Sequence, residues 1–296
     1  NYMRDIAKQA VAFVENVYLP DIKAIASFYP EWFKYGGGLV SRNVLCYGEF
    51  PEIPNDWSDE SLLMPRGAIV DGKLSDVLDV DLRDTKQIQE FVDHSWYKYP
   101  DDNMGLHPWE GITEQAFELS KGSVGTKTKF QWLGEDGKYS WIKSPRYNGH
   151  MMEVGPLARL VLSVAKDVKH FKEPALDLLK ELNLPLEAIY STLGRHAARA
   201  LECRWTANQM VKYVDDLTAN IKLGDEVAAN MEFWDPKTWP KECRGVGICE
   251  APRGALGHWC VIKDTRIENW QAIVPTTWNA SPRSNEGQQS AFETSL

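Results

Sequence analysis

The chain has 296 residues, 43% of them hydrophobic and 25% charged, a balance that excludes a disordered or fibrous protein. A chain of this length buries roughly 75% of its unfolded surface, enough for one large core or two smaller ones. Its 33 basic residues stand against 42 acidic ones, a formal charge of −9 with no basic stripe, which argues against nucleic acid as a partner.

The opening stretch NYMRDIAKQAVAFVENVY lacks the basic start and apolar centre of a secretory signal, and reads as a helix within a longer protein. Ile6, Ala10, Phe13, Val14 and Val17 recur at helical spacing, and Ile22 and Ile25 continue beyond Pro20, which kinks one helix or separates two. From Gly36 to about Gly149 the texture turns to glycine, proline and tryptophan with short apolar runs. There GGGLVSRNVLCYGEF predicts a glycine turn feeding a strand, and GAIVDGKLSDVLDVDL predicts a hairpin around Asp71-Gly72. KQIQEFVDHSWYKY, at 86–99, predicts a short amphipathic helix stopping near Pro100.

A second helical block runs from about 151 to 223. Its run LARLVLSVA, at 157–165, is too short to span a bilayer and carries an arginine. The most regular part is Leu186, Ile189, Leu193, Ala197, Ala200, Ala207, Val211, Val214, Leu217 and Ile221, with Pro185 at the start and Gly224 as terminator. A helix of ~36 residues there is about 54 Å long and reads as the spine of a bundle. After 251, glycine-rich turns precede a strand pair: HWCVIKD, a turn at Asp264-Thr265, then IENWQAIVPTTW. No internal repeat is present. The fold class is α+β, dominated by a long-helix bundle, with a Gly/Pro/Trp-rich mixed insertion and a short C-terminal β segment. The predicted divisions are 1–35 (helical), 36–150 (mixed and irregular), 151–224 (helix core) and 225–296 (loop and β segment lining a site), joined in one integrated domain.

Two phrases carry candidate chemistry. In GICEAPRGALGHW, at 247–259, Pro252 fixes the approach to Arg253, while Gly254 and Gly257 let backbone come close to something bulky or rigid. A guanidinium held there offers fixed donors to a small anionic or polar ligand; the competing reading is a tight turn whose arginine caps a helix or forms a salt bridge. In IVPTTWN, at 273–279, Pro275 breaks the strand ladder and frees Thr276 and Thr277 to face a pocket; the competing reading is an ordinary strand end.

The remaining reactive residues give less. The five cysteines, Cys46, Cys203, Cys243, Cys249 and Cys260, are odd in number and lack Cys-x-x-Cys spacing, so neither a disulfide framework nor a zinc ribbon is indicated. Cys243 and Cys249 with Glu250 and His258 suggest a metal, but their spacing matches no familiar site and idle thiols are the simpler reading. His196 and Glu202 lie six residues apart and do not share a helix face, and His94, His107, His150 and His170 are scattered. Twelve tryptophans interleaved with acids raise a sugar cleft, although no carboxylate pair stands out.

ECRGVGICEAPRGALGHW followed by VPTTWNASPR resembles the large subunit of nickel–iron uptake hydrogenases, in the membrane-bound respiratory group. SLLMPRGAIVDG, IQEFVDHSWYKYP, YSWIKSPRYNGHMMEVGPLARL and NLPLEAIYSTLGRHAARALE extend the resemblance over nearly the whole chain. That family's large subunit holds a nickel–iron centre whose iron carries cyanide and carbon monoxide, bound by an N-terminal and a C-terminal Cys-x-x-Cys pair. Neither pair is present here, so the resemblance implies a middle portion without direct nickel–iron ligands, inactive by itself.

What carries over is the surround of the metals. The resemblance places Arg253 over the open side of the centre, donating to a cyanide and assisting heterolytic splitting of dihydrogen. Positioning and electrostatics suit it better than a base role, because a guanidinium holds its proton too tightly. Pro252 and Leu256 would line the pocket of the diatomic ligands, Leu256 against carbon monoxide. Val274 and Pro275 would wall the other cyanide, which accepts from the Thr276 hydroxyl, and the backbone carbonyl of Ala272 matches a ligand of the family's magnesium site. The implied partners are a small iron–sulfur subunit in a heterodimer and, through it, a membrane cytochrome b, with dihydrogen as substrate. The implied location is the periplasmic face of the cytoplasmic membrane, and the activity that of a hydrogen:acceptor oxidoreductase. Two alternatives stand beside it: a non-catalytic respiratory-complex-type homologue of the same fold, and a tryptophan-rich glycoside hydrolase. The APRG and VPTTW phrases count against the first, since without cyanides they have no ligand to serve.

Overall fold

Six α-helices form among the described residues (2–116, 137–225, 229, 231 and 234–295) of the computed structural model: α1 Tyr2–Phe13, α2 Leu19–Phe28, α3 Pro156–Ala165, α4 Lys169–Glu181, α5 Thr192–Lys222 and α6 Pro275–Asn279. The strands are β1 Val44–Pro51, β2 Leu62–Ile69, β3 Ile88–Phe91, β4 Tyr97–Lys98, β5 Glu114–Gln115, β6 Ser144–Tyr147, β7 Glu242–Ala251, β8 Gly254–Lys263 and β9 Arg266–Ile273. They divide into two compact units, Asn1–Gly36 with Asp167–Pro240 and Gly37–Lys166 with Lys241–Leu296.

The first unit is helical. A π turn over Val14–Tyr18 joins α1 to α2, and Pro20 lies at the start of α2, directly after that turn. Both helices and α4 pack on α5, burying Ala7, Val14, Leu19 and Ala26 with Leu193, Ala200 and Leu201 of α5. The predicted continuous helix from Leu186 is interrupted. Leu186–Tyr190 forms a 3₁₀ turn, Ser191 adopts extended geometry, and its Oγ accepts from Gly194 N at 3.0 Å as an N-cap. α5 therefore has 31 residues and ends at Lys222, with Leu223 as its C-cap before Gly224 in left-handed conformation. Its buried positions stop at Ala207, and Leu217 and Ile221 are exposed although they continue the apolar period.

The second unit is built on small antiparallel sheets: β1–β2, β3–β6, β4–β5 and β7–β8–β9. The predicted turn at Asp71-Gly72 forms with positive φ at both residues, but the returning chain makes a single bridge, Ala68 to Leu78, and the ladder partner of β2 is β1. The predicted helix at 86–99 is β3 and β4 instead. Ile88, Glu90 and Val92 are all buried, a period of two in which the middle residue is a carboxylate, so polarity concealed the alternation. The strand pair around Asp264-Thr265 forms as its pattern predicts, as β8 and β9, with both turn residues at positive φ. The extra strand β7, unforeseen, hydrogen-bonds along the whole of β8.

α3, buried from Pro156 through Ser163, packs on β1 and β2. Leu45, Tyr47, Ile88, Tyr147, Met152, Val154, Trp259, Ile273 and Trp278 make up the main core of this unit. Trp259 is fully buried and its Nε1 donates to Leu82 O at 2.9 Å, so the indole brings its one polar atom inside satisfied.

Candidate active site

Pairing of β7 with β8 runs to Ala251 and Gly254, leaving Pro252 and Arg253 as a two-residue loop. Proline cannot take positive φ, and the left-handed excursion falls on Gly254, at φ +129°. A Cβ on Gly254 would lie 2.6 Å from Gly155 N, and one on Gly155 would lie 3.0 Å from Arg253 O. The two glycines thus put the loop backbone directly on the Val154–Gly155 backbone at the start of α3. Gly257 faces the ring of Trp259, so the close approaches of Gly254 and Gly257 are both to protein.

Beneath the loop lies a buried charge pair. Arg159, on α3, donates through Nη1 to Glu250 Oε2 at 2.7 Å and to Ala251 O at 3.1 Å, and through Nη2 to Pro252 O at 3.4 Å. The side chains of Arg159 and Glu250 are 2% and 0% exposed. Glu250 Oε1 accepts from Tyr47 N at 2.5 Å, and Glu250 N donates to Glu49. Removing either charge would strand the other in the interior, so the pair locks the backbone that presents Arg253.

The second phrase arrives beside the first through strand register. Gly257 pairs with Ile273 and His258 with Ala272, so Leu256 and Val274 stand side by side just beyond the last pair. Pro275 then opens α6 rather than prolonging a strand, and places Thr276 in the first turn. Asn279, the last residue of α6, receives Val154 N on Oδ1 and donates Nδ2 to Val154 O, both at 2.9 Å. Val154–Gly155 is therefore the common base of both phrases.

The resulting face is mixed in chemistry. Pro252, Arg253, Ala272, Val274 and Thr276 are exposed, Leu256 is half-buried and Pro275 is buried. Neither the Arg253 guanidinium nor the Thr276 hydroxyl makes a hydrogen bond or ion pair with any described residue, so the capping and salt-bridge reading of Arg253 does not hold. His258, adjacent in register to Ala272, receives Trp270 Nε1 on Nδ1 at 3.1 Å.

Among the described residues no group of three or more His, Cys, Asp or Glu could hold a metal ion. The cysteines lie on β1, α5, β7 and β8 and are unbridged. Burial pushes the Cys249 thiol up, with Glu49 and Glu250 adding to the effect, the opposite of what a metal-binding thiolate needs. What the face does fit is the surround of a rigid anionic group: unpaired donors from Arg253 and Thr276, set among apolar Pro252, Leu256 and Val274.

The description Nickel-dependent hydrogenase matches residues 1–296. The chain belongs to that family. It is 55% identical over 296 residues to the uptake hydrogenase large subunit of Bradyrhizobium diazoefficiens, covering 100% of this chain and 50% of that protein. It is 48% identical over 297 residues to the hydrogenase-1 large chain of Escherichia coli, covering 49% of that one. Among solved structures, the reduced, active form of the Ni-Fe-Se hydrogenase from Desulfomicrobium baculatum superposes with a TM-score of 0.74 at 31% identity, over 98% of this chain and 52% of that one. The chain spans about half the length of the curated relatives it matches.

In this nickel-dependent hydrogenase chain the sequence phrases located the exposed face but not its supports. Arg159, Glu250 as its partner, and Asn279 escaped notice. A signal for the first was available: a lone arginine inside LARLVLSVA must find a partner if that helix is buried.

Proposed function

We propose that this chain is the middle portion of a hydrogenase large subunit, which oxidises dihydrogen to protons and electrons at a nickel–iron centre. The observation that carries the reading is the register that sets Pro252–Leu256 beside Ala272–Thr276, with Arg253 and Thr276 exposed and unpaired among the described residues. The centre itself, when bound, supplies the polarisation of the H–H bond and the acceptance of its electrons, through ligands that this chain does not provide. Arg253 and Thr276 would hold cyanide ligands of such a centre by donating to their nitrogens, which are anionic acceptors that need donors once buried. Pro252 and Leu256 would line the pocket of the diatomic ligands, Leu256 against carbon monoxide, and Val274 and Pro275 would wall the cyanide that Thr276 serves. Arg253 holds fixed positive charge over the place where dihydrogen is split, an interaction that strengthens as charge develops.

In the same reading the Ala272 carbonyl ligates magnesium, electrons leave through a small iron–sulfur subunit to a membrane cytochrome b, and the heterodimer works at the periplasmic face of the cytoplasmic membrane. A respiratory-complex-type homologue without metals gives no use for an unpaired guanidinium beside an unpaired hydroxyl. The test is hydrogen oxidation by the full-length heterodimer carrying Arg253→Lys. A loss of about 10²-fold in kcat at unchanged nickel and iron content is expected, the scale of removing one oriented donor from a charge-developing site. Full activity in Arg253→Ala would overturn the assignment.

A further inference from the structure

Thr276 sits on a helix too short to hold itself in place. α6 has five residues, and a single turn fixes many dihedrals for few hydrogen bonds, so its position depends on what its side chains grip. At its start it is tethered to the sheet: the last pair of β8 with β9 is Gly257 with Ile273, and only Val274 separates that pair from Pro275. One tether leaves the helix free to swing about Val274. The second tether is a side chain at its other end.

Glu153 spends its backbone on the β1 side, donating to Asn43 O and accepting from Leu45 N, both at 3.0 Å. Val154, the next residue and 3% exposed, turns its N–H and C=O to the Asn279 amide, with both bonds at 2.9 Å. The primary amide presents one acceptor and one donor in a plane, as a neighbouring strand would. Aspartate of the same length is acceptor-only when ionised, and glutamine carries the same two atoms one methylene further out. Asn279 is itself held, because its carbonyl accepts from Phe292 N at 2.9 Å.

Both ends of this clamp reach the donors of the candidate face. Thr276 and Asn279 are three residues apart on α6 and so are neighbours on its surface. Gly155, bonded to Val154, carries the Arg253 backbone: a Cβ on Gly155 would lie 3.0 Å from Arg253 O. Thr276, Asn279, Val154, Gly155 and Arg253 therefore form one continuous run of contacts, and the Asn279 amide is its only side-chain link.

We propose that Asn279 is a positioning residue, whose two-sided amide clamp on Val154 sets the reach of the Thr276 hydroxyl relative to the Arg253 guanidinium. The inference rests on the reading of these two groups as donors to cyanide. The clamp touches neither substrate nor metal; it acts through Thr276.

The test uses the full-length protein with its partner subunit and two readouts, the infrared cyanide stretching bands and native-state amide exchange. Thr276→Val marks the band that the hydroxyl serves. Asn279→Asp, which keeps an acceptor for Val154 N but removes the donor to Val154 O, should move that same band. It should also speed exchange of the Thr277 and Ala280 amides, which donate to Val274 O and Thr276 O within the turn, by about tenfold for the one hydrogen bond lost. Asn279→Gln should move the band with exchange still slow, because it keeps both bonds but pushes the helix away. Ser281→Ala removes a different hydrogen bond of the same segment, to Trp278 O at 3.2 Å, and should leave the band in place. A band that Thr276→Val moves but neither Asn279 variant moves would overturn the proposal, and the glutamine variant decides this if the aspartate variant does not assemble. Should Thr276→Val move no band, the cyanide reading fails by itself. Exchange then decides the clamp: unchanged rates at Thr277 and Ala280 in Asn279→Asp would overturn it.

Discussion

Arg159→Met tests whether the arginine-bearing loop is held by the buried pair or by its glycine contacts alone. The substitution keeps the length and apolar stem of the side chain but deletes the 2.7 Å bond to Glu250 and the donors to Ala251 O and Pro252 O. Glu250, 0% exposed in its side chain, would keep its charge, with the Tyr47 N–H still donating to it but without the guanidinium opposite it. Breaking a buried pair from one side costs about 3–5 kcal/mol. At about 1.4 kcal/mol per factor of ten, opening of the hairpin should become about 10³-fold more frequent. Native-state amide exchange of residues 250–258, in the full-length protein, reads this directly. The paired change Arg159→Met with Glu250→Gln keeps an oxygen for Tyr47 N and leaves no buried charge, so it should recover about 2 kcal/mol relative to the sum of the single changes. Additivity within about 0.5 kcal/mol would refute the reasoning, because it would mean the two side chains do not depend on one another.

Gly254→Ala forces a Cβ to 2.6 Å from Gly155 N at φ +129°, and a loss of about 2–3 kcal/mol in thermal or urea unfolding is expected. Ser191→Ala removes the side-chain acceptor for Gly194 N and should cost about 1 kcal/mol, whereas Ser191→Asp should retain most of the cap. His107 is buried, accepts Trp109 N on Nδ1, and burial holds its pKa below the usual 6.5. Because the unfolded chain takes up that proton first, the contribution of His107 is present above about pH 6.5 and is lost as pH falls through the lower, folded value. The stability advantage of the unmodified protein over His107→Gln should therefore shrink between about pH 7.5 and 5.5, and a constant difference would contradict the burial argument.

Glu90 illustrates how far sequence pattern alone reaches. Alternation of Ile88, Glu90 and Val92 marks a strand only if the carboxylate is counted as an inside residue, and nothing local says that it is. Lys143, which supplies the reason, lies fifty-three residues along the chain, on the approach to β6. Ser191 is the reverse case: a cap in plain view, obscured because the apolar spacing from Leu186 to Leu193 runs straight through it.

The sequence by itself determined the features set by single-residue backbone chemistry and by long composition trends. Asp264-Thr265 had to turn, Pro275 had to end a strand, Gly224 had to stop a helix, and the APRG and VPTTW phrases stood out as chemically loaded. Only the tertiary structure decided that these two phrases share one face, because that follows from the pairing of Gly257 with Ile273 and from Asn279 reaching Val154. It also decided which charges are buried together, Arg159 with Glu250 ninety-one residues away. The physical reason is that φ/ψ preferences act within a residue or two, whereas desolvated charges and strand registers are settled by whichever distant partners the packed core brings into reach.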